Sequence, residues 1–232
     1  MNEVLRMEGV RHAWSTAGPA LCVPHWRLPL GQSIWLSGPS GTGKSTLLQL
    51  IAGVLVPQQG QVWVAGAALH DSTARQRDAL RKRHVGWIAQ QFNLLPYLSA
   101  QDNAWLPARL GAGQSHDPVQ LQQRWAQLTQ AFDMDADTLA RPARTLSVGQ
   151  QQRVAAMRAL LTQPELILAD EPTSALDGAN AQALMRTLSE QAQALGSTVI
   201  VASHEDWVGA YLAQRAVIRR DAEGNSILEV SP

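Results

Sequence analysis

Residues 38–45 of the chain read Gly38-Pro39-Ser40-Gly41-Thr42-Gly43-Lys44-Ser45. The stretch matches the pattern G-x-x-x-x-G-K-[ST], in which a glycine-rich loop wraps around a bound phosphate. Residues 33–37 form an apolar run typical of a buried strand, and residues 44–52 repeat leucine and isoleucine at helical spacing. The motif thus lies between a predicted strand and a predicted helix, as its mechanics require. We expect an α/β fold with a phosphate site at the end of a strand.

The predicted loop has the chemistry of an anion site. Backbone N–H groups in such a loop turn inward, and the following helix directs its positive end at the same place. Lys44 adds a full charge for the outer phosphates, and the Ser45 hydroxyl is a suitable Mg²⁺ ligand. A plain glycine-rich turn is the alternative, which we disfavour because lysine is scarce in this chain. The candidate nucleotide-binding residues here are Gly38, Pro39, Ser40, Gly41, Thr42, Gly43, Lys44, Ser45 and Thr46.

A second apolar strand, predicted over residues 166–169, ends in two acids, Asp170 and Glu171. A phosphate loop alone serves kinases, GTPases and ATPases, so the acids on this strand decide the class. Taken alone, adjacent acids after a strand could equally cap the next helix. At a strand end, however, Asp170 is placed to hold Mg²⁺ and Glu171 to polarise an attacking water. From these residues alone, Mg²⁺-dependent hydrolysis of a nucleotide and simple helix capping both remain open.

The rest of the chain predicts a sheet with one inserted helical lobe. Strand signals vanish between residues 99 and 162, where glutamine, alanine and leucine dominate and the breaks fall at Gly111 to Pro118 and at Pro142. Around this lobe, continuous apolar runs are typical of a parallel sheet that is covered on both faces. We predict several short strands over residues 3–37, strands at 61–65, 84–89 and 198–202, and helices at 73–83 and 179–195.

Composition excludes several classes of protein. The 232 residues are 45% hydrophobic, which suffices for one large core, so a single domain is expected. Lys and Arg together number 19, and Asp and Glu together also number 19, so the formal net charge is zero. The chain as a whole therefore has no excess of positive charge to hold a nucleic acid. Cys22 is the only cysteine, which excludes an internal disulfide framework. We see neither a secretion signal nor an apolar stretch of spanning length, and expect membrane contact only through a partner.

The segment Leu146-Ser147-Val148-Gly149-Gln150 resembles the signature of the ATP-binding cassette (ABC) ATPases. The family's other motifs are similar and follow in the family's order: Walker A at 38–46, a Q-loop glutamine at Gln90, Walker B at 166–171, a D-loop at 174–177 and a switch histidine at His204. The resemblance implies a P-loop NTPase (RecA-like) core, an inserted helical subdomain at about 93–163 and an N-terminal antiparallel β-rich region. It thus implies one ABC ATPase domain over residues 1–232 that hydrolyses ATP with Mg²⁺.

The signature itself has the features of a second anion site. Ser147 and Gly149 lie where a helix over residues 150–161 is predicted to begin, which brings a hydroxyl and N–H groups together. The resemblance implies that two subunits sandwich ATP head to tail, between Walker A of one and the signature of the other. It implies nucleotide contacts for Ser147, Gly149, Gln150 and the D-loop residue Asp177, and an inactive monomer.

Three more site residues are implied by the resemblance. Gln90 would contact Mg²⁺ and the nucleophilic water, with its neighbour Gln91 as the alternative register. His204 would bond the γ-phosphate and steady the water of Glu171. Trp14 falls where the family stacks an aromatic on adenine, the alternative being a core tryptophan. The implied catalytic residues are Glu171, His204 and Gln90, and the implied Mg²⁺ ligands are Ser45, Gln90 and Asp170.

Val148 departs from the family, which usually has two consecutive glycines in the signature. A β-branched residue resists a positive φ. We therefore expect nucleotide binding to survive and turnover to be altered.

Residues 92–100, with Asn103, look like the Q-loop segment of the lipoprotein-releasing, macrolide-efflux-type and cell-division cassettes. This resemblance implies integral membrane permease subunits as partners, a second ATPase subunit of the same or another kind, and a location at the cytoplasmic face of the membrane. Phe92 and Leu94 would line a groove for the permease, or else pack inside the helical lobe. The competing hypotheses are a cytosolic non-transport ABC ATPase and a P-loop kinase.

Overall fold

The computed structural model describes residues 3–15, 18–111 and 117–230. In these ranges the strands form a single ten-stranded sheet. The strands are β1 Glu3–Ala13, β2 Ala20–Pro29, β3 Ser33–Ser37, β4 Gln59–Val64, β5 Ala67–Ala68, β6 Val85–Ile88, β7 Leu166–Asp170, β8 Thr198–Ala202, β9 Gln214–Arg220 and β10 Ser226–Val230. The α-helices are α1 Lys44–Ile51, α2 Ala74–His84, α3 Ala100–Arg109, α4 Pro118–Ala131, α5 Ala136–Ala140, α6 Val148–Leu160 and α7 Gly178–Leu195, and Ala143–Thr145 and Asp206–Tyr211 are 3₁₀ helices.

The sheet has a parallel half and an antiparallel half. Its strand order is β5-β4-β1-β2-β10-β9-β3-β8-β7-β6. From β9 to β6 every neighbouring pair is parallel, whereas β1, β2, β4 and β5 pair antiparallel. The predicted α/β fold, with its P-loop core and N-terminal antiparallel region, is confirmed.

The first two strands are longer than the sequence predicted. Instead of several short strands, β1 and β2 run for 11 and 10 residues. Pro24 lies inside β2, although a proline inside a strand usually interrupts pairing. The pairing of β10 with β2 involves Leu21 and Cys22, before Pro24 is reached. A proline can occupy a strand where its missing N–H is not needed for pairing, so Pro24 does not end β2.

The central parallel strands β3, β7 and β8 are buried on both faces. Successive side chains of a strand point to opposite faces, so β7 sends Ile167 and Ala169 into one hydrophobic core and Leu166 and Leu168 into the other. The first core also holds side chains of the helices between β6 and β7, and the second holds side chains of α1 and the antiparallel strands. This explains the unbroken apolar runs in the sequence.

Helices α3 to α6 occupy the stretch between β6 and β7, where the sequence predicted a helical lobe. The predicted break at Gly111 to Pro118 includes residues 112–116, which lie outside the described ranges. Helix α6 begins at Val148, two residues before the predicted start at Gln150, because Ser147 is its N-cap. Among the helices of the described ranges, none combines the length and apolarity needed to cross a membrane.

Candidate active site

The glycine-rich loop joins the end of β3 to the start of α1. Its backbone needs glycine: Gly38 has φ 151° and Gly43 has φ 94°. A Cβ atom on Gly43 would lie 2.8 Å from the ring of Trp14, and one on Gly38 would lie 2.6 Å from the carbonyl oxygen of Ile218. Gly43 is also the N-cap of α1 and offers no side chain to the first N–H groups of the helix. Those groups are available to an anion.

A cavity of about 550 Å³ opens beside this loop. It brings together side chains from β1's end, the loop, α1, the Q-loop, β7's end and the segment after β8. The lining residues are Trp14, Ser40, Gly41, Gly43, Lys44, Ser45, Thr46, Gln90, Asp170, Glu171, Ser174 and His204. Residues far apart in the sequence thus meet at the carboxyl ends of the parallel strands, where ligands bind in open α/β sheets.

Glu171 lies between two partners in this cavity. The Nδ1 atom of His204 is 3.0 Å from both carboxylate oxygens of Glu171. The Nζ atom of Lys44 lies 3.8 Å from Oε1 of Glu171 and donates a hydrogen bond of 2.8 Å to the Gly38 carbonyl. Glu171 has a left-handed backbone, with φ 47°, a conformation that clusters at functional sites. The carboxylate is therefore held in one orientation at the cavity wall.

Asp170 ends β7 and is buried. Its Oδ1 atom has no hydrogen-bond partner among the described residues. Burial raises the pKa of the Asp170 carboxyl, and the charge of Glu171 raises it further, while the Ser45 hydroxyl and the Lys44 ammonium act in the opposite direction. An unsatisfied buried carboxylate oxygen needs a partner. Asp170, Ser45 and Gln90 on one cavity supply the oxygen ligands that suit Mg²⁺.

Trp14 stands at the rim of the cavity. Its side chain is 46% exposed, so it is not a core tryptophan. The ring lies against Gly43, and its Nε1 donates a hydrogen bond of 3.1 Å to the Thr46 hydroxyl. A flat, exposed ring fixed at the edge of a phosphate loop is available for stacking on a base.

Several predicted site residues lie away from this cavity. Within the loop, the buried Thr42 hydroxyl donates to the Pro39 carbonyl and so holds the turn. Ser147 and Gln150 form a capping box at the start of α6, and Asp177 caps α7 through the Asn180 N–H. The signature residues Ser147, Gly149 and Gln150, like Asp177, do not line the cavity of their own chain.

Ser174 lines the cavity but was not among the predicted nucleotide-binding residues. Its hydroxyl donates a hydrogen bond of 3.1 Å to the carbonyl of Glu171. It is the first residue of the D-loop at 174–177, and that motif was the sequence signal that could have pointed to it.

Val148 does not have the conformation that the sequence suggested. It is the first residue of α6, its φ is not positive, and its side chain is 46% exposed. The expected conflict between a β-branched residue and a positive φ is therefore wrong, because this part of the signature is already helical. No backbone strain has to be relieved at this position.

We accordingly expect Val148→Gly to change little. Exposed substitutions away from strained backbone usually alter stability by no more than about 0.5 kcal/mol, although glycine weakens a helix slightly. ATP turnover should stay within about twofold of the unsubstituted chain. The measurement is a steady-state ATPase assay together with a thermal melt. A large loss of turnover with ATP binding intact would show that the Val148 side chain makes a functional contact.

A family model described as an ABC transporter matches residues 23–174. This chain is a member of the ABC transporter family. Among similar proteins, the lipoprotein-releasing system ATP-binding protein LolD of Psychrobacter arcticus is 36% identical over 191 residues, 82% of this chain and 83% of that protein. The macrolide export ATP-binding/permease protein MacB of Chromobacterium violaceum is 38% identical over 193 residues, 83% of this chain but only 29% of that protein.

A solved structure supports the same assignment. The dimeric ATP-binding cassette MJ0796, bound to ADP and Pi in a post-hydrolysis state, matches with a TM-score of 0.81 and 27% identity, covering 97% of this chain and 98% of that one. The predicted family, its lipoprotein-releasing and macrolide-type branch, and ATPase activity in a membrane transporter are confirmed for this ABC transporter ATPase. These relatives do not favour the cytosolic non-transport ABC ATPase or the P-loop kinase.

Proposed function

We propose that this chain hydrolyses ATP in the cavity beside the glycine-rich loop, with Glu171 as the residue that polarises the attacking water. The observation that carries this proposal is the position of the Glu171 carboxylate, which lies 3.8 Å from Nζ of Lys44 and 3.0 Å from Nδ1 of His204. A carboxylate fixed at a cavity wall can accept a proton or a hydrogen bond from water. Lys44, on the same wall, places a positive charge where phosphate oxygens would lie.

His204 and Gln90 complete the proposed catalytic set. His204 contacts both oxygens of Glu171, so it can keep the carboxylate turned toward the cavity. Gln90 is exposed, lines the same cavity and follows β6 in the chain. The proposed nucleotide contacts are the loop residues Gly38 to Thr46, with Trp14 stacking on adenine.

We propose Ser45, Gln90 and Asp170 as the residues that hold Mg²⁺. Bound Mg²⁺ would neutralise charge on the phosphates during hydrolysis. The described residues contain no cluster of three or more His, Cys, Asp and Glu side chains, so the metal would take its other ligands from phosphate and water, as Mg²⁺ usually does.

The signature residues are proposed to act on the ATP of a second subunit. Ser147 accepts a hydrogen bond from the Gln150 N–H at 3.2 Å, which leaves its own O–H free to donate to a phosphate. The Gln150 side chain in turn accepts from the Ser147 N–H at 3.0 Å and fixes this arrangement. Since Gly149 and Asp177 also lie away from the cavity of their own chain, we propose a head-to-tail dimer of identical or related subunits.

The proposed membrane partner is an integral permease, with this chain peripheral at the cytoplasmic face. A mostly apolar cleft of about 250 Å³, lined in part by Trp87, Leu106 and Leu110, offers a surface for a permease segment. Phe92 and Leu94, the groove residues suggested by the sequence, instead pack against the core that holds the helical lobe. We retain one ABC ATPase domain over residues 1–232, with a helical subdomain at about 93–163, as the proposed organisation.

Asp170→Asn tests the metal site. Asparagine removes a carboxylate ligand, so Mg²⁺-dependent ATP binding should weaken by about tenfold or more. The same change removes a buried carboxylate with an unpartnered oxygen, so the melting temperature without nucleotide should stay equal or rise. Isothermal titration with Mg-ATP and thermal melts would measure both effects.

Protonation of Asp170 makes the stability of the folded chain depend on pH in a defined direction. Because the folded-state pKa of Asp170 is raised, the folded chain binds more protons than the unfolded chain between the two pKa values, and stability falls as pH rises through that window. The melting-temperature difference between Asp170→Asn and the unsubstituted chain should therefore shrink as pH falls, since the aspartic acid then becomes neutral. A melting-temperature difference that stays constant with pH would contradict the raised pKa of Asp170. Unchanged Mg-ATP affinity would contradict Asp170 as a ligand of Mg²⁺.

A further inference from the structure

The segment that follows Gln90 has an unusual backbone. Phe92 and Asn93 are consecutive non-glycine residues in the left-handed region, with φ 58° and φ 50°. Within the segment, the Phe92 N–H donates to the Ala89 carbonyl at 2.9 Å and the Asn93 N–H to the Gln91 carbonyl at 2.6 Å. Residues with a Cβ atom rarely adopt this backbone conformation, and it persists only where the surrounding structure holds it. Gln90 lies between β6 and this segment and lines the cavity, so the backbone of the segment helps to fix its position.

The side chain of Arg158 holds the two left-handed residues of this segment. Its Nη1 donates to the Asn93 carbonyl at 2.7 Å and its Nη2 to the Phe92 carbonyl at 2.5 Å. The two bonds reach adjacent carbonyls from one planar guanidinium, so they fix the directions of two successive peptide groups. Arg158 lies in α6, which is mostly buried and begins at the signature.

We propose that Arg158 is a positioning residue for ATP hydrolysis: by clamping the carbonyls of Phe92 and Asn93, it fixes the backbone that places Gln90 in the catalytic cavity. The proposal rests on the proposed role of Gln90 as a ligand of Mg²⁺ and the attacking water. Arg158 itself does not line that cavity. Its effect on hydrolysis passes through Gln90.

The contact of Arg158 with these two carbonyls, called the clamp below, also connects the signature with the apolar cleft. Helix α6 carries Ser147 at its N-cap and Arg158 in its last turn, so a movement of the signature helix displaces the carbonyls that follow Gln90. Arg158 further lines the apolar cleft proposed for the permease, beside Trp87 and Leu106. A segment seated in that cleft would contact the residue that holds Gln90. The positioning role itself stands without any occupant of the cleft.

Arg153 provides a matched control on the same helix. Its Nη1 donates to the carbonyls of Phe132 and Asp133 at 3.2 and 3.4 Å, and Asp133 also has a left-handed φ, of 50°. Both arginines therefore bridge two successive carbonyls at a left-handed residue. Only Arg158 does so next to a residue of the catalytic cavity.

The first experiment is hydrogen exchange, which does not require hydrolysis. In Arg158→Met the amides of residues 89–98 should exchange about tenfold faster or more, because the bridge is lost while the apolar stem remains. Arg153→Met should leave these amides unchanged and accelerate exchange near residues 130–135 instead. Arg158→Lys keeps the charge but has a single ammonium group in place of the planar guanidinium, so it should accelerate exchange less than Arg158→Met does. If Arg158→Met fails to fold, Arg158→Lys takes its place in the experiment. Unchanged exchange over residues 89–98 would overturn the proposal.

The second experiment separates binding from turnover. Arg158→Met should lower kcat by about tenfold or more and raise the Mg²⁺ concentration needed for half-maximal rate, with ATP affinity within about twofold. In a Gln90→Ala background, Arg158→Met should cause little further loss, since the two residues act in series. If the losses of kcat from Gln90→Ala and Arg158→Met multiply in the double variant, the positioning role of Arg158 is wrong. The same holds if Arg158→Met has the kcat and Mg²⁺ dependence of Arg153→Met. Neither result would contradict the proposed role of Gln90. If Gln90→Ala by itself leaves rate and Mg²⁺ dependence unchanged, the proposed role of Gln90 is wrong instead, and the clamp then has no catalytic residue to position.

Discussion

Glu171→Gln is expected to lower ATP hydrolysis by about 10² to 10⁴-fold while leaving ATP bound. Glutamine keeps the shape of the side chain and one hydrogen-bond acceptor, but it loses the charge that polarises water. The change also removes the negative group that lies 3.8 Å from Lys44 and 3.0 Å from His204, so both partners remain free to bind phosphate. Hydrolysis should therefore fail at the chemical step and not at binding.

A trapped ATP state should also stabilise the proposed dimer. Size-exclusion chromatography with Mg-ATP, compared with a run without nucleotide, should show Glu171→Gln as a dimer, and an ATPase assay gives the rate. Glu165→Gln is the matched control, because Glu165 precedes the same strand at its opposite end and pairs with His84 at 3.3 Å. Normal hydrolysis by Glu171→Gln would refute Glu171 as the group that polarises water. If it runs as a monomer in saturating ATP while the unsubstituted chain dimerises with a non-hydrolysable analogue, the proposed trapping is wrong.

The sequence predicted the parts of the fold that depend on local patterns. The strand and helix on either side of the glycine-rich loop, and the two strands over 166–170 and 198–202, follow from short apolar runs with turn residues beside them. The same holds for the helical lobe, because the loss of strand signals extends over many residues. These elements carry or flank the phosphate loop and the acids.

Strands β9 and β10 were not predicted, although β9 pairs with β3 and β10 joins the two halves of the sheet. Their pairing partners lie far away in sequence; Ile34 pairs with Gln214 and Leu21 with Ser226. Local composition at 214–220 is mixed, with exposed arginines among the buried positions. Burial against distant strands, and not local propensity, makes this segment a strand.

In the candidate site, too, some residues could be predicted from the sequence and others could not. Residue types with defined phosphate chemistry, such as Lys44 and Glu171, could be assigned from motifs. The contact of Arg158 with two carbonyls could not, because a backbone carbonyl carries no signature in the sequence. The conformation of Val148 was also misjudged, because α6 begins at Val148 with Ser147 as its N-cap. The spacing of Ser147 and Gln150 fits a capping box and was the sequence signal for this earlier start.

Lys44→Ala is expected to abolish measurable hydrolysis and to weaken ATP binding by about 10 to 100-fold, the equivalent of one or two charge-assisted hydrogen bonds. Lys44 is the only cation among the residues of the glycine-rich loop, and its buried ammonium donates to the carbonyls of Gly38 and Pro39 at 2.8 and 3.3 Å. Alanine therefore removes a charge from the phosphate site and also loosens the loop that shapes it.

The two consequences of Lys44→Ala can be separated. Equilibrium titration with a fluorescent ATP analogue gives the affinity, and a thermal melt without nucleotide shows how much of the effect comes from the loop. Arg186→Ala, which removes an exposed cation from α7 outside the cavity, is the control for net charge. We expect its affinity and turnover to match the unsubstituted chain. Because phosphates need a cation at the loop itself, unchanged ATP affinity and hydrolysis in Lys44→Ala would mean that this loop does not bind the nucleotide.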